Sequence, residues 1–263
     1  MGMDSKARDS FTCDLRGKTA FITGGSSGIG AHLAGVLAEA GATVVVAARR
    51  EQELAKVVAA IAKRGGRAFA VRMDVTDPES IESGVLAAER EVGVANVLLN
   101  NAGITVMKFA LDASVADWDN VIGTNLRGPF LVAQAFAKRL IAHSSPGSII
   151  NIGSIMGTRV AGGLTSYAAS KAGVHQLTRA LALEWARYNI RVNAIAPGYI
   201  VSDMTREFFS SPPGEAIIKR IPQRRIGEVD DLAAPVLLLA SDASAYMTGA
   251  VVPVDGGHLV STL

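Results

Sequence analysis

Ser166-Tyr167-Ala168-Ala169-Ser170-Lys171 sets a phenol and an ammonium four residues apart at the start of a helical run, which brings both to one helix face. A cation close to a phenol favours the phenolate, so the spacing predicts that the Tyr167 pKa falls from about 10 toward the range where a proton moves at neutral pH. The pair is a candidate acid–base centre. The same spacing also suits a core-facing aromatic with a snorkelling lysine beside it, so its meaning rests on what surrounds it.

A second group suits a phosphate. Thr23-Gly24-Gly25-Ser26-Ser27-Gly28-Ile29-Gly30 lies between an apolar run and a helical one, where backbone amides and the positive end of a helix can hold a pyrophosphate. Glycines let the backbone approach closely and take positive φ; the plainer reading is an ordinary strand-to-helix turn. About 20 residues past such a loop an acidic side chain usually takes the adenosine ribose. Here that place is Ala48, followed by Arg49 and Arg50. With no carboxylate to repel it and two guanidinium groups to grip it, a 2′-phosphate is accommodated, which points to NADP in preference to NAD. Two cations at a helix start also oppose the helix dipole unless something negative binds there.

The elements that must position these groups alternate along the chain. Short apolar runs predict strands at 19–23, 43–47, 68–73, 97–99, 148–152, 190–196 and 250–254. Between them, helical periodicity covers 29–40, 51–63, 78–92 with Asp77 as N-cap, 115–142 with a break near 123–129, and a helix carrying Tyr167 and Lys171 to about 188. A last helix is expected over 229–241 despite Pro235 inside it. Residues 199–225, with Pro212, Pro213 and Pro222, read as a loop-rich lid over a ligand. Such alternation predicts an α/β fold, a single-domain doubly wound parallel sheet with helices on both faces.

Composition narrows the function. The chain has 263 residues, 49% of them hydrophobic and 19% charged, as in a compact protein with several buried strands. Its 26 basic and 24 acidic residues nearly balance at +2, and no basic run resembles a nucleic-acid arm, so neither nucleic acid nor an acidic membrane is an expected partner. The single cysteine, Cys13, cannot form an intrachain disulfide, which fits a reducing compartment, and no metal is expected. Residues 1–14 read as a flexible leader without a signal-peptide core, and no apolar stretch approaches the ~20 residues of a membrane span. The expectation is a cytoplasmic protein.

The glycine loop with its G-x-x-x-G-x-G spacing, Asn100-Asn101-Ala102-Gly103, Ser154, Tyr167-x-x-x-Lys171 and Pro197-Gly198 together resemble the short-chain dehydrogenase/reductase family over roughly 15–257. The resemblance implies a Rossmann-type fold and an oxidoreductase that moves hydride between a nicotinamide and a carbonyl or secondary alcohol. It implies Tyr167 as proton donor and acceptor, Lys171 lowering its pKa and binding the nicotinamide ribose, Ser154 orienting the carbonyl, and Asn125 holding a helix break open for a proton-relay water. It places Gly24, Ser26, Ser27, Gly28, Ile29 and Gly30 at the pyrophosphate, Asp74 and Val75 at the adenine, and Asn101, Ala102 and Gly103 along the cofactor. Pro197, Gly198, Ile200 and Ser202 fall at the nicotinamide end, with Ser202 where threonine is more usual. Gly153 stands where a second serine is frequent. Members similar to this chain include 3-oxoacyl-carrier-protein reductases and gluconate 5-dehydrogenases, so a 3-oxoacyl thioester, a keto-sugar acid and a small ketone stay open as substrates, and a homo-oligomer, by resemblance a tetramer, is implied. The reading from another class is a non-catalytic dinucleotide-binding redox sensor.

Overall fold

The computed structural model describes residues 13–201 and 209–261. Ser202, Asp203 and Arg206 of the expected substrate segment lie outside the described residues, as do positions 1–12 of the leader. Seven parallel strands make one sheet: β1 (Thr19–Thr23), β2 (Thr43–Ala48), β3 (Arg67–Arg72), β4 (Val97–Asn100), β5 (Gly147–Ile152), β6 (Ile190–Pro197) and β7 (Val251–Val254). Their order is β3-β2-β1-β4-β5-β6-β7.

Period-two alternation decides which core each strand residue enters. Ala20, Ile22, Val44 and Val46 face one side of the sheet, where α1 (Gly28–Glu39), α2 (Glu51–Lys63) and α8 (Ala233–Ala240) cover them with Leu33, Leu37, Leu54, Ile61, Val236 and Leu239. Phe21, Val45 and Ala47 face the other, under α3 (Pro78–Val92), α5 (Gly128–Ala142) and α6 (Thr165–Trp185), which bring Ile81, Phe136, Leu140 and Leu181. Burial on both faces explains why these strands read as continuous apolar runs. The sheet is the doubly wound Rossmann arrangement expected from the alternation of elements.

The chain runs outward from β1 to β3 and returns to β4 on the other flank of β1, with Ala20 in register with Val44 on one side and Val97 on the other. At this switch point the loops leaving β1 and β4 diverge and open a crevice at the C-terminal edge of the sheet.

Most predicted boundaries match within a residue or two. Asp77 caps α3 as expected, accepting from the Glu79 amide at 3.0 Å, with Pro78 at the first helical position. Three segments differ. The expected break near 123–129 is instead a π-helical turn, Gly123–Arg127, that joins α4 (Val115–Ile122) to α5 without interruption. Residues 199–225 are not all loop: Pro212 and Pro213 open a short helix, α7 (Pro212–Ile218), because proline at the first turn forfeits no intrahelical bond. Pro235 is tolerated for the same reason, since the expected last helix divides into a 3-10 turn, Val229–Leu232, and α8, placing Pro235 in the first turn of α8.

Candidate active site

The glycine loop joins β1 to α1 at the switch point. Gly24 and Gly28 have φ of 65° and 55°, the left-handed region that suits glycine, and a Cβ on Gly28 would meet nothing within 4 Å. The loop therefore offers open backbone at the first turn of α1. A Cβ on Gly30 would instead press into the Asn101 amide and the Gly24 carbonyl. That amide is a clamp: Asn101 Nδ2 donates to Thr23 O at 3.1 Å and Gly24 O at 3.2 Å, while Thr23 Oγ1 accepts from the Asn101 and Ala102 amides at 3.0 and 3.1 Å. Asn101 thus shapes the phosphate loop, whereas the sequence reading placed it only along the cofactor.

Arg49 and Arg50 follow β2 beside this loop. Arg50 Nη2 donates to Ser26 Oγ at 3.0 Å and Ser27 Oγ at 2.7 Å, so its guanidinium lies against the start of α1. Arg49 is largely exposed and reaches Asp74 Oδ2 at 3.9 Å. The dipole reasoning for a bound anion is weaker than the sequence implied, because Glu51 and Glu53 already stand in the first turn of α2. What supports a 2′-phosphate is the Arg50 guanidinium against the loop, the exposed Arg49 beside it in the chain, and Ala48 in place of a carboxylate at the end of β2. Asp74 Oδ1 accepts from the Thr76 amide and hydroxyl at 2.9 and 2.8 Å, a turn that fixes the carboxylate after β3. Burial pushes its pKa up, but these bonds and the nearby Arg49 and Arg72 outweigh that and hold it below the usual value. Val75 is buried against Gly128 of α5.

Ser154, Tyr167, Lys171 and Asn125 come together across the crevice. Ser154 follows β5 and accepts from the Met156 amide at 3.1 Å, so it caps a 3-10 turn, and its hydroxyl lies near enough to the Tyr167 hydroxyl to favour the phenolate. Lys171 is buried one helical turn after Tyr167, its Nζ 5.6 Å from the Tyr167 ring centroid, and donates to Ile152 O at 2.8 Å. Desolvation lowers its pKa to about 8. The predicted fall in the Tyr167 pKa is not found. Burial pushes the phenol above 10.0, and the Ser154 hydrogen bond offsets only part of that rise.

Asn125 sits in the π turn, wholly buried. Its Oδ1 accepts from the Ile104 amide at 2.8 Å, and its Nδ2 donates to Ile104 O at 2.9 Å and Ser170 Oγ at 3.2 Å. The side chain therefore ties the π turn to the segment after β4 and to the helix of Tyr167. Gly103 lies between these groups, since a Cβ there would stand 3.4 Å from Asn125 Oδ1 and 3.7 Å from Lys171 Nζ.

At the far end of the crevice Pro197 closes β6, and the Gly198 amide donates to Val254 O at 2.9 Å in a space a side chain would lose to Asp255. Ile200 makes an isolated bridge with Gly227. Two supports escaped sequence reasoning. Asn100 and Asn151, paired in register between β4 and β5, join by a 3.0 Å bond, and Asn151 continues to Thr178 of α6 at 2.9 Å. Asparagines within otherwise apolar strands were the available signal. The second is His175, buried one turn past Lys171; a Cβ on Gly153 would stand 2.6 Å from its Nε2, so the glycine in place of a second serine makes room for this ring.

A family model described as Enoyl-(Acyl carrier protein) reductase matches residues 24–258. Galactitol 2-dehydrogenase (L-tagatose-forming) of Cereibacter sphaeroides is 40% identical over 94% of this chain and 96% of its own. The 3-oxoacyl-acyl-carrier-protein reductase of Thermotoga maritima is 39% identical over 94% and 99%. A gluconate 5-dehydrogenase from Burkholderia cenocepacia J2315, solved with NADP and tartrate, superposes with a TM-score of 0.91 at 35% identity, covering 95% of this chain and 98% of that one. With the sheet order, the glycine loop and the Ser154–Tyr167–Lys171 grouping in place, the chain belongs to the short-chain dehydrogenase/reductase family of oxidoreductases.

Proposed function

We propose that the chain is an NADP(H)-dependent oxidoreductase that moves hydride between the nicotinamide and a carbonyl or secondary alcohol, with Tyr167 as general acid and base. The observation that carries this reading is the convergence of the Ser154 and Tyr167 hydroxyls, with a buried Lys171 one helical turn behind the phenol and anchored on the Ile152 carbonyl. The residues fit the cofactor: the Gly24–Gly30 loop leaves backbone open at a helix start, and Arg50 beside that loop, with the neighbouring exposed Arg49, would hold a ribose phosphate. The solved gluconate 5-dehydrogenase that superposes on this chain holds NADP. When bound, the nicotinamide supplies or accepts the hydride.

The protein's own groups manage the proton and the charge. Ser154 orients the carbonyl oxygen, and Tyr167 delivers its proton to the developing alkoxide in reduction and takes it back in oxidation. A phenol whose pKa burial raises is protonated at neutral pH, the state that reduction requires. Lys171, cationic below about pH 8, steadies the phenolate left after transfer, and donors beyond the one spent on Ile152 O can reach a ribose hydroxyl. Asn125 positions Lys171's neighbours through Ile104 and Ser170. Asp74 and Val75 serve the adenine, and Ala102, Gly103, Pro197, Gly198 and Ile200 line the path to the nicotinamide. A cytoplasmic homotetramer goes with this reading.

NADPH consumption against a panel of 3-oxoacyl thioesters, keto-sugar acids and small ketones tests it. Tyr167→Phe should lose about 10³-fold in kcat while NADPH binds as before. Equal inertness of both proteins on every compound, with NADPH still bound, would instead mark a non-catalytic redox sensor.

A further inference from the structure

The segment after Ser154 and the segment after α7 meet at a cleft of about 840 Å³ whose lining includes Arg159, Lys219, Arg220, Arg224, Val260 and Ser261. Four of these are cations and none is a carboxylate. Among the described residues none of the four forms an ion pair, although the next residue, Arg225, has its own partner in Asp231 at 2.6 Å. The fold thus pairs Arg225 with a carboxylate, while the Arg224 guanidinium meets only the Lys219 carbonyl and the Arg159 guanidinium only His258 O and Ser261 Oγ, so the charges of the four are not offset by a paired carboxylate. Like charges gathered in one concavity repel, and they raise the local concentration of anions there.

The cleft is joined to the proposed reaction centre by short covalent and hydrogen-bonded paths. Arg159 is five residues past Ser154, and its amide donates to Ile155 O at 2.8 Å in the turn that Ser154 caps. Its guanidinium donates to His258 O and to Ser261 Oγ, the latter at 3.0 Å. The His258 ring lies 5.6 Å from that of Tyr199, which follows Pro197-Gly198. Burial above all, then Arg159 and, more weakly, Arg220, hold the His258 pKa down, while Asp255 pulls it up, so Arg159 and Arg220 both stand close enough to act on this ring.

We propose that this cleft receives the anionic end of the substrate while the carbonyl at the other end meets Ser154 and Tyr167. The inference rests on the oxidoreductase reading for the second half of that statement only. The ligand chemistry is a carboxylate or phosphate oxygen on a flexible arm, held by exposed guanidinium and ammonium groups. A small keto acid and a phosphate-bearing thioester both present it.

Matched probes separate these sources. The NADP⁺-loaded protein is titrated by calorimetry with levulinate and with its methyl ester, and the NADPH-loaded protein is assayed with acetoacetyl-coenzyme A and with acetoacetyl-N-acetylcysteamine. Lys219 and Arg220 make no side-chain hydrogen bond or ion pair among the described residues, so K219Q/R220Q removes two charges without removing a brace. The expected result is at least one charged probe favoured over its neutral mate by about tenfold, a preference that shrinks to about twofold in K219Q/R220Q and with added salt. A carboxylate preference identifies an acid substrate, and a coenzyme A preference a phosphate-bearing arm. Equal Kd and equal kcat/KM for charged and neutral mates, or a preference that K219Q/R220Q leaves intact, would overturn the proposal. If levulinate binds in this charge-dependent way but nothing is reduced, the cleft stands and the redox reading falls.

Discussion

The two edges of the sheet carry clefts of similar size and treat charge in opposite ways. At the N-terminal edge a cleft of about 740 Å³ is lined by Lys18, Asn96, Arg191, Asp242 and Tyr246 among others. Lys18 pairs with Asp242 at 2.9 Å, Asn96 accepts from the Thr19 amide at 3.0 Å, and Arg191 donates to Ser244 Oγ at 2.8 Å, Leu239 O at 3.0 Å and Ser241 O at 3.1 Å. Arg191 thereby caps the C-terminal end of α8. At the C-terminal edge Lys171 is buried with a carbonyl for a partner, and Arg50 is held by two hydroxyls. Cleft volume therefore does not distinguish function from structure in this fold. The nearby carboxylate does: Asp242 pairs with Lys18 and its charge also acts on Arg191, whereas Lys171 and Arg50 form no ion pair among the described residues.

Replacing Lys171 breaks that contrast most sharply. Lys171→Met should lower kcat/KM for carbonyl reduction by about 10²–10³-fold, because the phenolate left on Tyr167 loses its facing charge. The wild-type rate should also fall as pH rises through about 8, where Lys171 loses its proton, and the remaining activity of Lys171→Met should lack that limb. Stability should move the other way. A lysine whose folded pKa lies below 10.5 penalises the folded state at low pH, and the penalty is relieved as pH rises from about 8 to 10.5. The gap corresponds to roughly 3 kcal/mol, less about 1–3 for stranding the Ile152 carbonyl. Lys171→Met should therefore gain about 1 kcal/mol at pH 7, a rise of about 2–4 °C in Tm by calorimetry. A lower Tm would mean that Lys171 belongs with the structural cations of the opposite edge.

Arg49 and Arg50 sharpen the comparison within the upper edge, because they differ in what they touch. Arg49→Asp should reduce the NADPH to NADH ratio of kcat/KM by about 100-fold, since a repelling carboxylate replaces a charge-assisted partner. An unchanged ratio would refute the 2′-phosphate assignment. Arg50→Ala should raise KM for both cofactors, by about threefold for NADH and more for NADPH, because it also frees Ser26 and Ser27 from the guanidinium that spans them.

The sequence made the sheet, its helical cover and the glycine loop legible because each rests on local pattern: unbroken apolar strands, an aspartate before a proline at 77–78, glycines before a helix. It also brought Ser154, Tyr167 and Lys171 to one place, through motif order. It did not show the π turn at Gly123–Arg127, which depends on Asn125 bonding Ile104 across 21 residues. Nor did it show the sign of the Tyr167 shift, because spacing reveals a neighbouring charge and conceals burial. Asn101 and Asn100 illustrate the same limit: adjacent in sequence, one turns to the phosphate loop and the other to Asn151 and the Pro129 carbonyl, on opposite faces of a strand end.

The smallest expected effect comes from the neutralised edge and completes the contrast. Lys18 keeps 22% of its side-chain surface exposed and Asp242 88%, so their 2.9 Å pair is screened by water on the aspartate side. Pairs of this kind contribute about 0–1 kcal/mol. Lys18→Ala should therefore lower Tm by about 4 °C at most and leave kcat/KM and both cofactor affinities within about twofold of wild type. The outcome depends on the partition and not on distance alone, since β1 runs directly from Lys18 to the Gly24 loop and offers a rigid path between the edges. A tenfold loss of activity on removing Lys18 would show that the paired charges at the lower edge tune the unpaired ones above. A null result would confine the chemistry to the end of the sheet where cations have been left for a ligand to meet.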